Sequence, residues 1–137
     1  MDLRQIQAGF AFPVQTLSLD KATVAAYIEA VEDPSPYYRA PDELVPPLAI
    51  LALSMRGLTD LLVSYPGVTH ASQRLTIGRP ARIGDTVTAA LTVRTRSERR
   101  GFAALILAVR VEDGAAAVLE GEMLLMVPLG EGSAANG

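Results

Sequence analysis

Side chains able to move protons at neutral pH are scarce in this sequence. His70 is the only histidine, and there is no cysteine. Disulfides, thiolate nucleophiles and thiolate metal sites are thereby excluded. A metal site built on several histidines of one chain is excluded too, leaving only carboxylate ligation, for which no clustered motif exists. No metal and no cofactor are expected. Histidine is the side chain that titrates near neutral pH without help, which makes His70 a candidate base. Asp33 and Tyr38 are the other two candidates, both in the stretch Glu32 to Pro47, where prolines recur at 34, 36, 41, 46 and 47. That spacing predicts a loop, and a connection this long without structure of its own is often functional. A loop aspartate also satisfies neighbouring backbone N–H groups, a tyrosine beside Tyr37 also packs, and a lone histidine also sits at strand ends or subunit interfaces. Each candidate has to be weighed against those uses.

The elements around these residues follow from periodicity. Gly9 to Leu19 reads as an edge strand interrupted by Pro13. Asp20 is placed as the N-cap of a helix over about Lys21 to Val31, with Val24, Tyr27, Ile28 and Val31 on one face. Pro46 and Pro47 suit the first positions of a second helix, where a missing N–H is harmless. That helix is expected to run to about Tyr65 and to stop at Pro66-Gly67. Its first three turns are apolar all round, the mark of a buried helix; Ile50, Leu53 and Met55 are candidates for lining a tunnel. Strands are expected over Val68 to Ile77, Thr86 to Arg96, Phe102 to Val111 and Ala115 to Val127. In the second of these Val87, Ala89, Leu91 and Val93 share a face. Turns are expected at Gly84-Asp85, at Arg99-Arg100-Gly101 and at Asp113-Gly114. The last four strands are expected to be antiparallel neighbours in chain order, curved so as to bury the apolar helix.

Length and composition agree with one domain. The chain has 137 residues, half of them hydrophobic, with a formal net charge of -3, so a general attraction to nucleic acid is not implied. No apolar stretch is long enough to span a bilayer, and the first ten residues lack the apolar region of a signal peptide; a cytoplasmic protein is expected. Lys21 is the single lysine, and the other cations are arginines. Arginine suits phosphate geometry, which makes Arg79 and Arg82 candidates for contacting a phosphorylated ligand. Residues 1–129 are read as one domain and 130–137, small and polar, as a disordered tail.

Two segments carry a resemblance. Glu32-Asp33-Pro34-Ser35-Pro36-Tyr37-Tyr38 resembles the hydratase motif of an acid, any residue, Asn, Pro, an apolar residue and His. His70-Ala71-Ser72-Gln73-Arg74-Leu75, followed by Arg79-Pro80-Ala81-Arg82-Ile83-Gly84-Asp85, is similar to the stretch of fatty-acid-synthase-type dehydratases in which a His-x-x-Gln strand leads to a Pro and a Gly-Asp turn. Val45-Pro46-Pro47-Leu48-Ala49 looks like that group's entry into its central helix. The ordered set spans nearly the whole chain and resembles the MaoC-like, fatty-acid-synthase-type dehydratase family of hot-dog domains.

The resemblance implies an α+β fold, a single hot-dog domain with a long buried central helix wrapped by a curved antiparallel sheet. It implies an acyl-thioester ligand, on coenzyme A or on acyl carrier protein, and the chemistry of enoyl hydration or 3-hydroxyacyl dehydration. In that chemistry an acid/base pair shuttles a proton, and backbone N–H groups at the start of the central helix, here Pro47, Leu48 and Ala49, hold the thioester oxygen. Carried over residue by residue, Asp33 matches the acid, Ser35 stands where Asn is expected, and Tyr38 stands where the catalytic His is expected. An unperturbed phenol, with a pKa near ~10, is a poor base at neutral pH. The implied protein is a lyase-family member with a degraded catalytic motif, in which Tyr38 or His70 assists Asp33. The alternatives are a non-catalytic acyl-binding subunit of a hetero-oligomeric dehydratase and, ranked below it, a hot-dog thioesterase. A homodimer or a hetero-oligomer with another hot-dog subunit is expected, because an isolated sheet leaves edges that invite pairing.

Overall fold

The computed structural model describes residues 2–32, 35–38, 42–114 and 116–130; nearly all of the proposed tail lies outside them. The first elements form where the local signals put them. Strand β1 is Gln15–Ser18 and helix α1 is Lys21–Val31. The Asp20 carboxylate caps α1, accepting the Thr23 backbone N–H at 2.8 Å and the Thr23 hydroxyl at 3.0 Å. Those two bonds, the backbone one foremost, hold its pKa below the usual aspartate value. The helix ends with Glu32 in the left-handed region at φ 54°.

The second apolar helix is broken rather than continuous. Helix α2 is Pro47–Ser54 and helix α3 is Arg56–Leu62, separated at Met55. Two neighbours explain the break. The Ser54 hydroxyl donates to the Ile50 carbonyl at 2.7 Å, a back-bond that bends helices, and Gly57 follows at once, in a position that favours helix poorly. Burial is also one-sided. Ala49, Ile50, Leu51, Ser54 and Leu58 are buried, whereas Leu48 is 53% exposed. All-round apolar character therefore does not mean all-round burial within one chain.

The remaining strands are β2 Thr69–Ile77, β3 Thr86–Arg99, β4 Phe102–Glu112 and β5 Ala117–Pro128. All pairings are antiparallel, and the sheet order is β1-β3-β4-β5-β2. This corrects the expectation of four strands adjacent in chain order: β2 lies against β5, not β3. The physical reason lies in residues 78–85, which make no hairpin. The Gly78 and Arg79 amides continue along β5, donating to the Val118 and Ala117 carbonyls at 3.0 and 2.9 Å. Farther on, Leu19 donates to the Asp85 carbonyl and Gly84 to the Leu19 carbonyl, each at 2.9 Å, delivering the chain to the β1 edge. The segment thus crosses from one edge of the curved sheet to the other.

Between β3 and β4, Arg100 and Gly101 both have positive φ, 51° and 80°, the two-residue turn that matches the right-handed twist of a hairpin. The inner face is aliphatic: Val87, Ala89, Leu91 and Val93 of β3, Leu105 and Leu107 of β4, and Met123 and Leu125 of β5 are all buried against the helices. The outer face carries ion pairs, Arg94 with Glu122 and Arg110 with Glu112 and Glu120. Among the described residues no helix is long and apolar enough to cross a membrane.

Candidate functional site

The loop after α1 and the crossover segment after β2 are stitched together, and a cavity opens where they meet. Leu44 donates to the Tyr37 carbonyl at 2.9 Å, Val45 to the Ala81 carbonyl at 2.9 Å and Ile83 to the Glu43 carbonyl at 3.0 Å. Pro36–Tyr38 forms a single 3-10 turn, which turns a proline-rich stretch into a fixed wall. Gly78 is required on the other side: a Cβ there would lie 2.3 Å from the Ala117 carbonyl oxygen. Only glycine lets the crossover segment run this close to β5.

The cavity has a volume of about 270 Å3. Its floor is apolar, from Val45, Ile50, Ile77, Ala81 and Val118; Tyr38 and Pro47 border it, and Arg79 stands among its polar lining. The lining therefore joins three parts of the chain that are distant in sequence: the proline-rich loop, the first turn of α2 and the end of β2 with its crossover. Arg79 is more than half exposed and lies 3.6 Å from Asp113, a weak surface pair that an anionic ligand could displace.

The residues singled out from the sequence distribute unevenly. Tyr38, Pro47 and Arg79 meet at the cavity, and so does Ile50. Leu48 and Ala49 follow Pro47 in the first turn of α2, but the Ala49 side chain is buried and its amide already donates to the Pro46 carbonyl at 2.9 Å. Leu53 and Met55 lie farther along and do not line the cavity. Arg82 holds the loop instead of facing the cavity: its guanidinium donates to the Asp42 carbonyl at 2.9 Å, and its amide to the Asp85 carboxylate at 2.9 Å. Asp33 lies outside the described residues. His70 lies on β2, as Ile77 does, but seven positions earlier. At about 3.3 Å per strand residue that is about 23 Å from the cavity end of the strand. The lining residues unmarked by motif were Val45, Ile77, Ala81 and Val118. Their only sequence signal was the Ile77-Gly78 junction, where a strand gives way to a glycine.

Residues 6–118 match the family described as FAS1-like, dehydratase domain region. The UPF0336 protein of Streptomyces avermitilis is 25% identical over 111 residues, covering 69% of this chain and 74% of that protein. Among solved structures, the (R)-hydratase from A. caviae involved in PHA biosynthesis superposes with a TM-score of 0.71 at 24% identity, covering 90% of this chain and 98% of that one. The C-terminally truncated HadBC complex from Mycobacterium tuberculosis, a 3R-hydroxyacyl-ACP dehydratase, gives a TM-score of 0.73 at 18% identity, covering 90% and 99%. At these identities the superpositions establish a shared hot-dog fold, and the helix-wrapping antiparallel sheet described above is that fold.

Proposed function

Since the chain belongs to the FAS1-like dehydratase domain region family, and thereby to the MaoC-like hot-dog dehydratases, we propose that its cavity binds the acyl end of an acyl thioester, on coenzyme A or acyl carrier protein in the cytoplasm, in the service of enoyl hydration or its reverse. One observation carries the reading: an apolar cavity at the start of α2, with Tyr38 on its wall and Arg79 among its polar lining. Apolar lining suits an acyl chain. A phenol O–H can donate to a thioester oxygen as negative charge develops there, and the first amide of α2, that of Leu48, can do the same. The guanidinium of Arg79 suits a phosphate of the carrier. Hydration also needs a base to take a proton from water. Asp33 is the acid assigned to that task by resemblance.

A second reading is that the chain binds the thioester and depends on a partner subunit for the chemistry. It is favoured by the cavity itself, whose described lining contains neither a carboxylate nor an imidazole. The hetero-oligomeric HadBC complex shows that the same fold works as a subunit.

The test is calorimetric titration of the purified chain with butyryl-CoA, followed by crotonyl-CoA turnover. Micromolar binding that Arg79→Ala weakens about tenfold, roughly 1.4 kcal/mol, supports the assignment. Absence of binding in the wild type, or binding indifferent to both Arg79→Ala and Tyr38→Phe, would refute it.

A further inference from the structure

We infer that a second copy of this chain completes the cavity, by pairing its β2 strand antiparallel with β2 of the first and so bringing its His70 to the cavity mouth. The inference rests on the reading of the cavity as an enoyl-thioester site.

Three observations lead there. First, β2 is an open edge of nine residues, exposed at every position except Leu75, which is half-buried. Strand edges meant to stay single are blunted by lysine, proline or inward charge, and β2 (Thr69-His70-Ala71-Ser72-Gln73-Arg74-Leu75-Thr76-Ile77) has none of the three. Its one irregularity, between His70 and Ser72, leaves the stretch to Ile77 regular. Second, the strand holds the chain's only histidine at one end and the cavity's Ile77 at the other. Third, His70 and Ile77 face the same side. They pair with Leu125 and Leu119 of β5, both fully buried on the helix side, and directly opposed residues share a face.

A twofold axis exchanges the ends of antiparallel strands. Centred on Gln73, the pairing sets Arg74 beside Ser72 of the second copy and avoids an arginine–arginine contact. It also sets His70 of the second copy beside Thr76, one residue from Ile77, with backbones about 4.8 Å apart. A distance of about 23 Å within one chain becomes a contact between two. The imidazole takes a proton from water as the water oxygen bonds to the β carbon. The electron pair of the carbon–carbon double bond passes to the thioester oxygen, and the imidazolium returns the proton to the α carbon.

The absence of cysteine allows a direct test. His70→Cys and Ile77→Cys variants are purified separately, mixed and oxidised. A covalent dimer is expected from the mixture and from neither variant alone; no dimer from the mixture, or an equal yield from His70→Cys alone, would overturn the pairing. The proton role is tested by co-refolding Tyr38→Phe with His70→Ala. Random pairing makes half the dimers mixed, each with one intact site, so about a quarter of wild-type hydration returns if the site is shared and none if each chain uses its own histidine. A wild type that cross-links as expected but never hydrates crotonyl-CoA overturns the proton role. Failure to bind butyryl-CoA, with the cross-link intact, refutes the thioester reading while leaving the dimer geometry standing.

Discussion

The β3-β4-β5 sheet and the side formed by α2, α3 and β2 are built from similar residues to opposite degrees of completion. On the sheet, Leu105, Leu107, Leu119 and Leu125 are fully buried, and β4 has a strand paired along each edge. On the other side Leu48 is 53% exposed, Ile77 51% and Val63 80%, and β2 has one free edge. The sheet satisfies its apolar surface and its backbone groups inside one chain. The helix side leaves both partly unmet, and it is there that the cavity opens. Stability and function are thus separated in space: the part that closes on itself holds the fold, and the part left open is where a ligand or another subunit can be accommodated.

The strongest test of that contrast is a pair of truncations. Leu107→Ala, in the closed region, is expected to lower unfolding free energy by about 2–5 kcal/mol, read from the denaturant midpoint. Val63→Ser, on the open side, should change it by less than about 0.5 kcal/mol. Similar losses from both would mean that the helix side is as closed as the sheet. A smaller effect is expected where the two regions meet. Gly78→Ala forces a Cβ against the Ala117 carbonyl, and displacing the crossover segment should cost about 1–3 kcal/mol and weaken acyl-CoA binding together with stability. Unchanged binding in a destabilised variant would show that this segment does not shape the cavity. The smallest effect lies at the Asp20 cap. Its folded-state pKa is depressed by hydrogen bonds from Thr23, so its contribution is fully present above the unfolded aspartate value of about 3.9 and is lost as pH falls through the lower folded value. Asp20→Ala should lower the melting temperature slightly at neutral pH and flatten the decline below about pH 4. A variant melting curve parallel to the wild type down to acid pH would place the cap outside the stability-determining part.

Some of this was legible in the sequence because it depends on neighbours a few residues apart. The Asp20 cap, the bounds of α1, the inward set Val87, Ala89, Leu91 and Val93, and the turn at Arg100-Gly101 follow from local geometry, and the structure has each where periodicity and turn chemistry put it. The ordered motifs also carried the family. Other features depend on what packs against what, and no local pattern encodes them. The break at Met55 needs a serine back-bond that one-dimensional apolar periodicity does not register. The placement of β2 beside β5 is decided by where the Gly78 and Arg79 amides find acceptors. The joining of Tyr38, Pro47 and Arg79, with Val118 beneath, is a product of chain crossing, since residues distant in sequence meet only once the sheet has curved. The sequence by itself determined the elements, because hydrogen bonding and side-chain alternation within an element are short-ranged. Only the tertiary structure decided which edge stays open, which apolar residues stay exposed and where His70 lies relative to the cavity, because those are set by long-range burial.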